Sequence, residues 1–154
     1  MTKLAPQISI IIRTLNEERY LNLLLEAINS QKVNKTYEIV LIDSGSNDNT
    51  LNIALKHQCR ILKIKKEEFS FGRSLNIACK ESYGEYLVFI SGHCVPVDQN
   101  WLQNLINPLL NNQADYTYGK QLGGEKTYIS EKRIFEKYFP DYDQIPQNGY
   151  YCNN

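Results

Sequence analysis

Short runs rich in Ile, Leu and Val occupy Gln7 to Arg13, Tyr37 to Asp43, Cys59 to Ile64 and Tyr86 to Ser91. Near-continuous apolar character over so few residues predicts strands covered on both faces. Between these runs the period changes. Leu21, Leu24, Leu25 and Ile28 fall at the i, i+3, i+4, i+7 spacing of an amphipathic helix, and Leu102, Leu105, Ile106 and Leu109 repeat it. Leu51, Ala54 and Leu55 mark a shorter helix, and Leu75, Ala78 and Cys79 another. Asn16, ahead of Glu17 and Glu18, reads as an N-cap with acidic residues in the first turn. Strands alternating with helices predict an α/β fold with a mostly parallel sheet. A fifth, weaker strand is expected at Tyr116 to Gly119. Beyond it the periodicity fades, apart from a helix expected at Glu131 to Phe139, and Pro140 and Pro146 interrupt the chain.

Composition narrows the function classes. The 154 residues suit one domain, taken here as 1–154. The 17 basic and 17 acidic residues balance, so no overall field draws the chain to nucleic acid or to an anionic membrane. Recognition must be local. The longest apolar run, around Ile8 to Ile12, is far short of the roughly 20 residues needed to span a bilayer. The N-terminus has no signal-peptide hydrophobic region. The expectation is a cytoplasmic protein without a transmembrane segment. Cys59, Cys79, Cys94 and Cys152 have neither zinc-site spacing nor the density of a disulfide scaffold, and Cys59 and Cys79 read as buried, reduced fillers.

In open α/β sheets ligands lie beyond the carboxyl ends of the strands, so the residues that follow each strand carry the chemical information. After the first strand stands Arg13-Thr14-Leu15-Asn16-Glu17-Glu18, and after the second Asp43-Ser44-Gly45-Ser46-Asn47-Asp48. With no glycine between Ala5 and Gly45, the G-x-G-x-x-G turn of a dinucleotide site is missing, which argues against NAD. Asp43 at a strand tip can accept hydrogen bonds from a base or ribose, or it can simply form a turn and cap the next helix. Phe69-Ser70-Phe71-Gly72-Arg73-Ser74-Leu75-Asn76 enters a helix. There Gly72 permits close backbone approach and Arg73 offers a planar donor fork suited to phosphate; an exposed arginine on a capped helix is the plain alternative. After the fourth strand, His93 in Ser91-Gly92-His93-Cys94-Val95-Pro96 can be a metal ligand, a phosphate contact or a structural residue.

These four stretches, in this order and followed by Trp101-Leu102, resemble family 2 of the inverting glycosyltransferases over roughly residues 7–120. The resemblance implies the glycosyltransferase A fold: a three-layer α/β/α sandwich with a mostly parallel, nucleotide-diphospho-sugar-transferase-like sheet, C-terminally incomplete here. About 7–120 would bind the donor, and about 121–154 would begin the acceptor side. The implied partners are a nucleotide-diphosphate sugar donor and a saccharide or lipid-linked acceptor, as in cell-surface polysaccharide biosynthesis, at the inner face of the membrane. Thr14, Asn16 and Glu18 would line the nucleoside pocket together with Asp43, Ser44 and Gly45. Arg73 and Asn76 would lie near the ribose and diphosphate, and Ser91 and Gly92 would border the donor.

Three departures qualify this implication. Arg13 stands where many members carry proline. Ser91-Gly92-His93 replaces the Asp-x-Asp motif that holds a divalent metal, Mn²⁺ or Mg²⁺, against the diphosphate. Metal ligand, direct phosphate contact and structural residue all stay open for His93 at this point. The catalytic base that deprotonates the acceptor hydroxyl is expected beyond Asn154, since Glu131, Asp141 and Asp143 precede its region. A non-catalytic nucleotide-sugar-binding module is the alternative. A sugar-phosphate nucleotidyltransferase is disfavoured by the glycine-free Arg13-Thr14-Leu15-Asn16.

Overall fold

The structure is a computed structural model, and it describes residues 5–124, 127–139, 141 and 142. Pro140, Asp143, Pro146, Cys152 and the C-terminal Asn148 to Asn154 lie outside the described residues. The chain divides into two compact units between Ile106 and Asn107.

The first unit contains a four-stranded parallel sheet. Its strands are β1 (Ile8–Thr14), β2 (Tyr37–Asp43), β3 (Arg60–Lys63) and β4 (Tyr86–Ser91), in the order β3-β2-β1-β4. The helices are α1 (Glu18–Asn29), α2 (Thr50–Lys56), α3 (Phe71–Glu81) and α4 (Trp101–Leu110), the last crossing the division. Right-handed crossovers from β1 to β2 and from β2 to β3 move in one direction and put α1 and α2 on the same face. The return crossover from β3 to β4 puts α3 on the other face. This is the expected α/β/α layering.

The core follows from that arrangement. Ile8, Ile10, Ile11 and Ile12 are fully buried because β1 has a strand on each side and a helical layer on each face. On the α3 face Ile11, Val40, Ile42, Ile64 and Ala78 form one cluster, with Leu62, Phe69, Leu75, Ile77 and Cys79 packed against it. The stripe Leu21, Leu24, Leu25 and Ile28 of α1 is buried as its spacing predicts, and of the α4 stripe Leu102 and Ile106 are buried while Leu105 and Leu109 are half-buried. In α2 the buried face is Thr50, Ile53 and Ala54, and Leu55 points outward. Cys59 is buried as expected, whereas Cys79 is only half-buried.

At the amino ends of the strands a polar clip joins four segments. Glu38 accepts from Ser9 Oγ (2.6 Å) and Tyr83 N–H (2.7 Å) on Oε1, and from Arg60 Nε (3.1 Å) and an Arg60 terminal nitrogen (2.9 Å) on Oε2. The Arg60 guanidinium lies over the Tyr83 ring at 4.5 Å. Burial pushes the Glu38 carboxyl up, but its hydrogen bonds from Ser9, Tyr83 and Arg60 outweigh that and hold it below its ordinary value.

In the second unit, α5 spans Ile129–Tyr138, close to the helix expected at Glu131 to Phe139. The Phe139 ring meets those of Tyr118 and Phe135 edge to face at 6.4 Å, and Lys120 pairs with Asp141. Tyr116 to Gly119, expected as a fifth strand, is irregular. Tyr116, Thr117 and Tyr118 all favour strand locally, but that preference is realised only where a ladder forms, and none forms here among the described residues.

Candidate donor site at the strand tips

The strand order changes direction between β1 and β4, and a doubly wound sheet opens a crevice at such a switch point beyond the carboxyl ends of its strands. The four stretches singled out in the sequence converge there. The loops after β1 and β2 are stitched together. Ser46 Oγ accepts from Asn16 N–H (2.8 Å), Thr50 Oγ1 from Glu17 N–H (2.8 Å) and Asp48 Oδ2 from Glu18 N–H (3.1 Å). In return, Asn47 N–H donates to Asn16 Oδ1 and Asn49 N–H to Glu18 Oε2, both at 2.9 Å.

This clasp corrects the expected cap. Glu17 is the residue at the helix boundary and makes no side-chain cap of its own; the opening N–H groups of α1 are satisfied from the β2–α2 loop instead. Asn16 takes a left-handed backbone (φ 56°), which costs about 1 kcal/mol or more and is held by its two bonds to Ser46 and Asn47. Burial works against ionisation of Asp48, yet hydrogen bonds from Thr50 and Glu18 hold its carboxyl below the ordinary value.

Asp43, 2% exposed, organises the second loop. Its Oδ1 accepts from Thr14 Oγ1 (3.0 Å) and Ser46 Oγ (2.5 Å), and its Oδ2 from Gly45 N–H and Ser46 N–H, both at 2.9 Å. Gly45 supplies the positive φ of 103° that lets the loop turn back onto the carboxylate. Ser44 is buried, with its N–H and hydroxyl both on the Thr14 carbonyl (3.1 and 3.2 Å). Thr14, Asp43 and Ser44 therefore spend their polar groups on one another, and the outer surface of the clasp is formed by Leu15, Asn16, Glu18, Gly45 and Asn47, which are exposed. Leu15, at 46% exposure, offers that surface an apolar side chain that composition gave no reason to single out.

On the α3 side, Ser70 caps the helix by accepting Arg73 N–H (3.1 Å). Arg73 and Asn76 are exposed, and an Arg73 terminal nitrogen reaches Glu68 O at 3.4 Å. Arg13, the register partner of Ser91, places its guanidinium 4.2 Å from the ring centroid of Phe71. Partial burial lowers its pKa from the ordinary arginine value. A cavity of about 20 Å³ beside it is lined by Ile11, Arg13, Leu75, Phe89, Ile90 and Ser91.

After β4, the turn closed by Cys94 N–H to Ser91 O (3.0 Å) brings Gly92 against Glu17. A Cβ on Gly92 would lie 2.8 Å from Glu17 Cγ and 3.2 Å from Thr14 Cγ2. His93 Nδ1 meets Glu17 Oε1 at 3.0 Å, with the imidazole 59% exposed and the carboxylate 20%. Glu17 is the site residue that sequence reasoning missed; its position between two other marked residues was the available signal. This donor set does not fit a resident Mn²⁺ or Mg²⁺. Such ions favour several carboxylate oxygens, and here one imidazole and one carboxylate are engaged with each other. Among the described residues no three His, Cys, Asp or Glu side chains converge.

A doubly wound sheet with clasped loops at its switch point defines a nucleotide-diphospho-sugar-transferase type of fold, and comparison with known proteins agrees. The chain belongs to glycosyl transferase family 2, which it matches over residues 9–149. It is 29% identical to glycosyltransferase AglE of Haloferax volcanii, over 90% of this chain and 46% of that protein. It is 30% identical to the poly(ribitol-phosphate) beta-N-acetylglucosaminyltransferase TarP of Staphylococcus aureus, over 85% of this chain and 41% of that one. The crystal structure of S. aureus TarS in complex with UDP-GlcNAc superposes with a TM-score of 0.59 at 27% identity, covering 71% of this chain and 32% of that one. The chain thus spans less than half the length of these relatives. Among the described residues no helix is long and apolar enough to cross a membrane.

Proposed function

We propose that this chain binds the nucleotide-diphosphate sugar donor of an inverting glycosyltransferase that acts on a saccharide or lipid-linked acceptor in cell-surface polysaccharide biosynthesis, working at the cytoplasmic face of the membrane. The observation that carries this reading is the clasp of the two loops around Asp43, which gives a rigid outer surface at the switch point of a family 2 sheet.

In this reading Asp43, Ser44 and Thr14 act as positioning residues. They fix Gly45 and Asn16, whose outward groups and the side chain of Leu15 receive the nucleoside, while Ser46 ties the two loops together. Glu18 braces the loop through Asn49, while Arg73 and Asn76 on the exposed start of α3 face the ribose and diphosphate. Ser91 and Gly92 border the sugar side. Transfer proceeds by single displacement: an acceptor oxygen attacks the anomeric carbon, the bond to the diphosphate breaks, and a base takes the hydroxyl proton. That base is assigned to none of the residues described. The likeness to a UDP-GlcNAc complex supports a uridine nucleotide as the first donor to test.

Calorimetry of the chain with UDP-GlcNAc, UDP and uridine tests the binding step, and release of UDP in the presence of acceptor tests transfer. Failure of all three ligands to bind would overturn the reading. Binding without release would instead support a nucleotide-sugar-binding module.

A further inference from the structure

The positive charge that a donor diphosphate requires has no metal-shaped site at the β4 tip, and the Glu17–His93 pair does not supply it. The carboxylate of Glu17 sits on the imidazole and offsets whatever charge that ring carries. A fixed cation stands one strand away. Arg13 is the register partner of Ser91, the first residue of the triplet that replaces the metal motif.

Three observations single it out. Its guanidinium has no carboxylate partner among the described residues, although it is half-buried. Desolvating an arginine without an anion is unfavourable, so such a group is poised for an anionic ligand. Its position is also fixed, because the Phe71 ring lies 4.2 Å from it and Phe71 is itself braced edge to face by Phe69 at 5.4 Å. Phe71 is 64% exposed, so the guanidinium it carries lies at the surface, within reach of a ligand. Finally, guanidinium keeps its charge at any working pH and presents paired N–H donors that match phosphate oxygens.

We infer that Arg13, propped on Phe71, binds the donor's diphosphate and takes the place of the divalent metal in this chain. The inference rests on the donor-binding reading above. In the reaction Arg13 holds the diphosphate in the ground state and stabilises the negative charge that collects on it as the glycosidic bond breaks, with no proton transferred to or from the guanidinium.

The test is calorimetric titration of the chain with UDP and with uridine, in excess EDTA and in excess Mn²⁺. UDP is expected to bind at least about tenfold more tightly than uridine in EDTA, with Mn²⁺ changing its affinity by less than about twofold. Arg13→Gln should remove most of UDP's advantage and leave uridine unchanged, and Arg13→Lys should restore part of it. Phe71→Leu, at an exposed position, should weaken UDP in the same direction even if Arg13→Gln fails to fold. UDP binding that collapses in EDTA and ignores Arg13→Gln and Phe71→Leu would overturn the inference and leave the donor-binding reading intact. If UDP, uridine and UDP-GlcNAc all fail to bind, the donor-binding reading itself falls.

Discussion

The Ser46 hydroxyl donates to Asp43 Oδ1 while its oxygen accepts the backbone N–H of Asn16, so a single side chain ties the buried carboxylate of one loop to the left-handed residue of the other. Removing that oxygen leaves Asn16 N–H without its partner and frees one Asp43 acceptor. Ser46→Ala should therefore cost about 1–2 kcal/mol in stability and weaken uridine binding about tenfold. Chemical denaturation and calorimetry on the same sample measure both. Unchanged uridine affinity in a folded variant would detach the clasp from nucleoside recognition.

Gly92→Ala places a methyl group against Glu17 Cγ and the Thr14 methyl. The atoms met are the stem of Glu17, Cγ and Cβ, and the buried Thr14, so the whole Glu17 side chain must shift; melting should fall and the contact with His93 should be lost. A shift of the His93 ring resonances in NMR, in an otherwise native spectrum, is the expected signature. Unperturbed resonances would mean that the turn accommodates the methyl elsewhere.

Acid should weaken the clip at the other end of the sheet. Glu38 is held below its ordinary value of 4.5 in the folded chain. A depressed carboxyl contributes stability that is fully present above its unfolded value and is lost as pH falls through the lower folded value. Glu38→Gln should consequently destabilise by about 1–3 kcal/mol near neutrality, and the gap to the parent should narrow as pH falls below 4.5 and close once pH passes the lower folded value. Denaturant midpoints across the acid range report it, and a gap independent of pH would assign the loss to packing.

Burial pushes the Cys59 thiol up to about 12, which leaves almost no thiolate near neutrality. A water-soluble thiol reagent at mildly alkaline pH should therefore label Cys59 only after denaturation, as peptide mapping would show. Rapid labelling in the native state would indicate local opening of the Cys59 segment.

Much of this architecture was legible because it is carried by local pattern. Ile8 to Ile12 could only be a doubly covered strand, and Leu21, Leu24, Leu25 and Ile28 specify the buried face of α1 by spacing alone. The places after the strands were legible for a topological reason, since the sheet order decides where a crevice opens. What escaped the sequence is what depends on partners about thirty or more residues away. Asn16 has the residue type and position of a cap, yet Thr50 and Asp48 satisfy α1 in its place. Leu51, Ala54 and Leu55 mark α2, but its buried face is set by Thr50, Ile53 and Ala54, which leaves Leu55 exposed. The link between Glu17 and His93 joins residues 76 apart, and no periodicity encodes it.

The strand order has a kinetic consequence. Ile8 pairs with Tyr37 on one flank and with Tyr86 on the other, so β1 leaves the ribosome ahead of both partners and waits through about thirty residues for one and about eighty for the second. Until β4 arrives, the most apolar segment of the protein presents an open edge. The same strand that later supports the donor crevice is thus the one a nascent chain most needs shielded, and slowing translation between β3 and β4 should cost yield more than slowing it after Ser91.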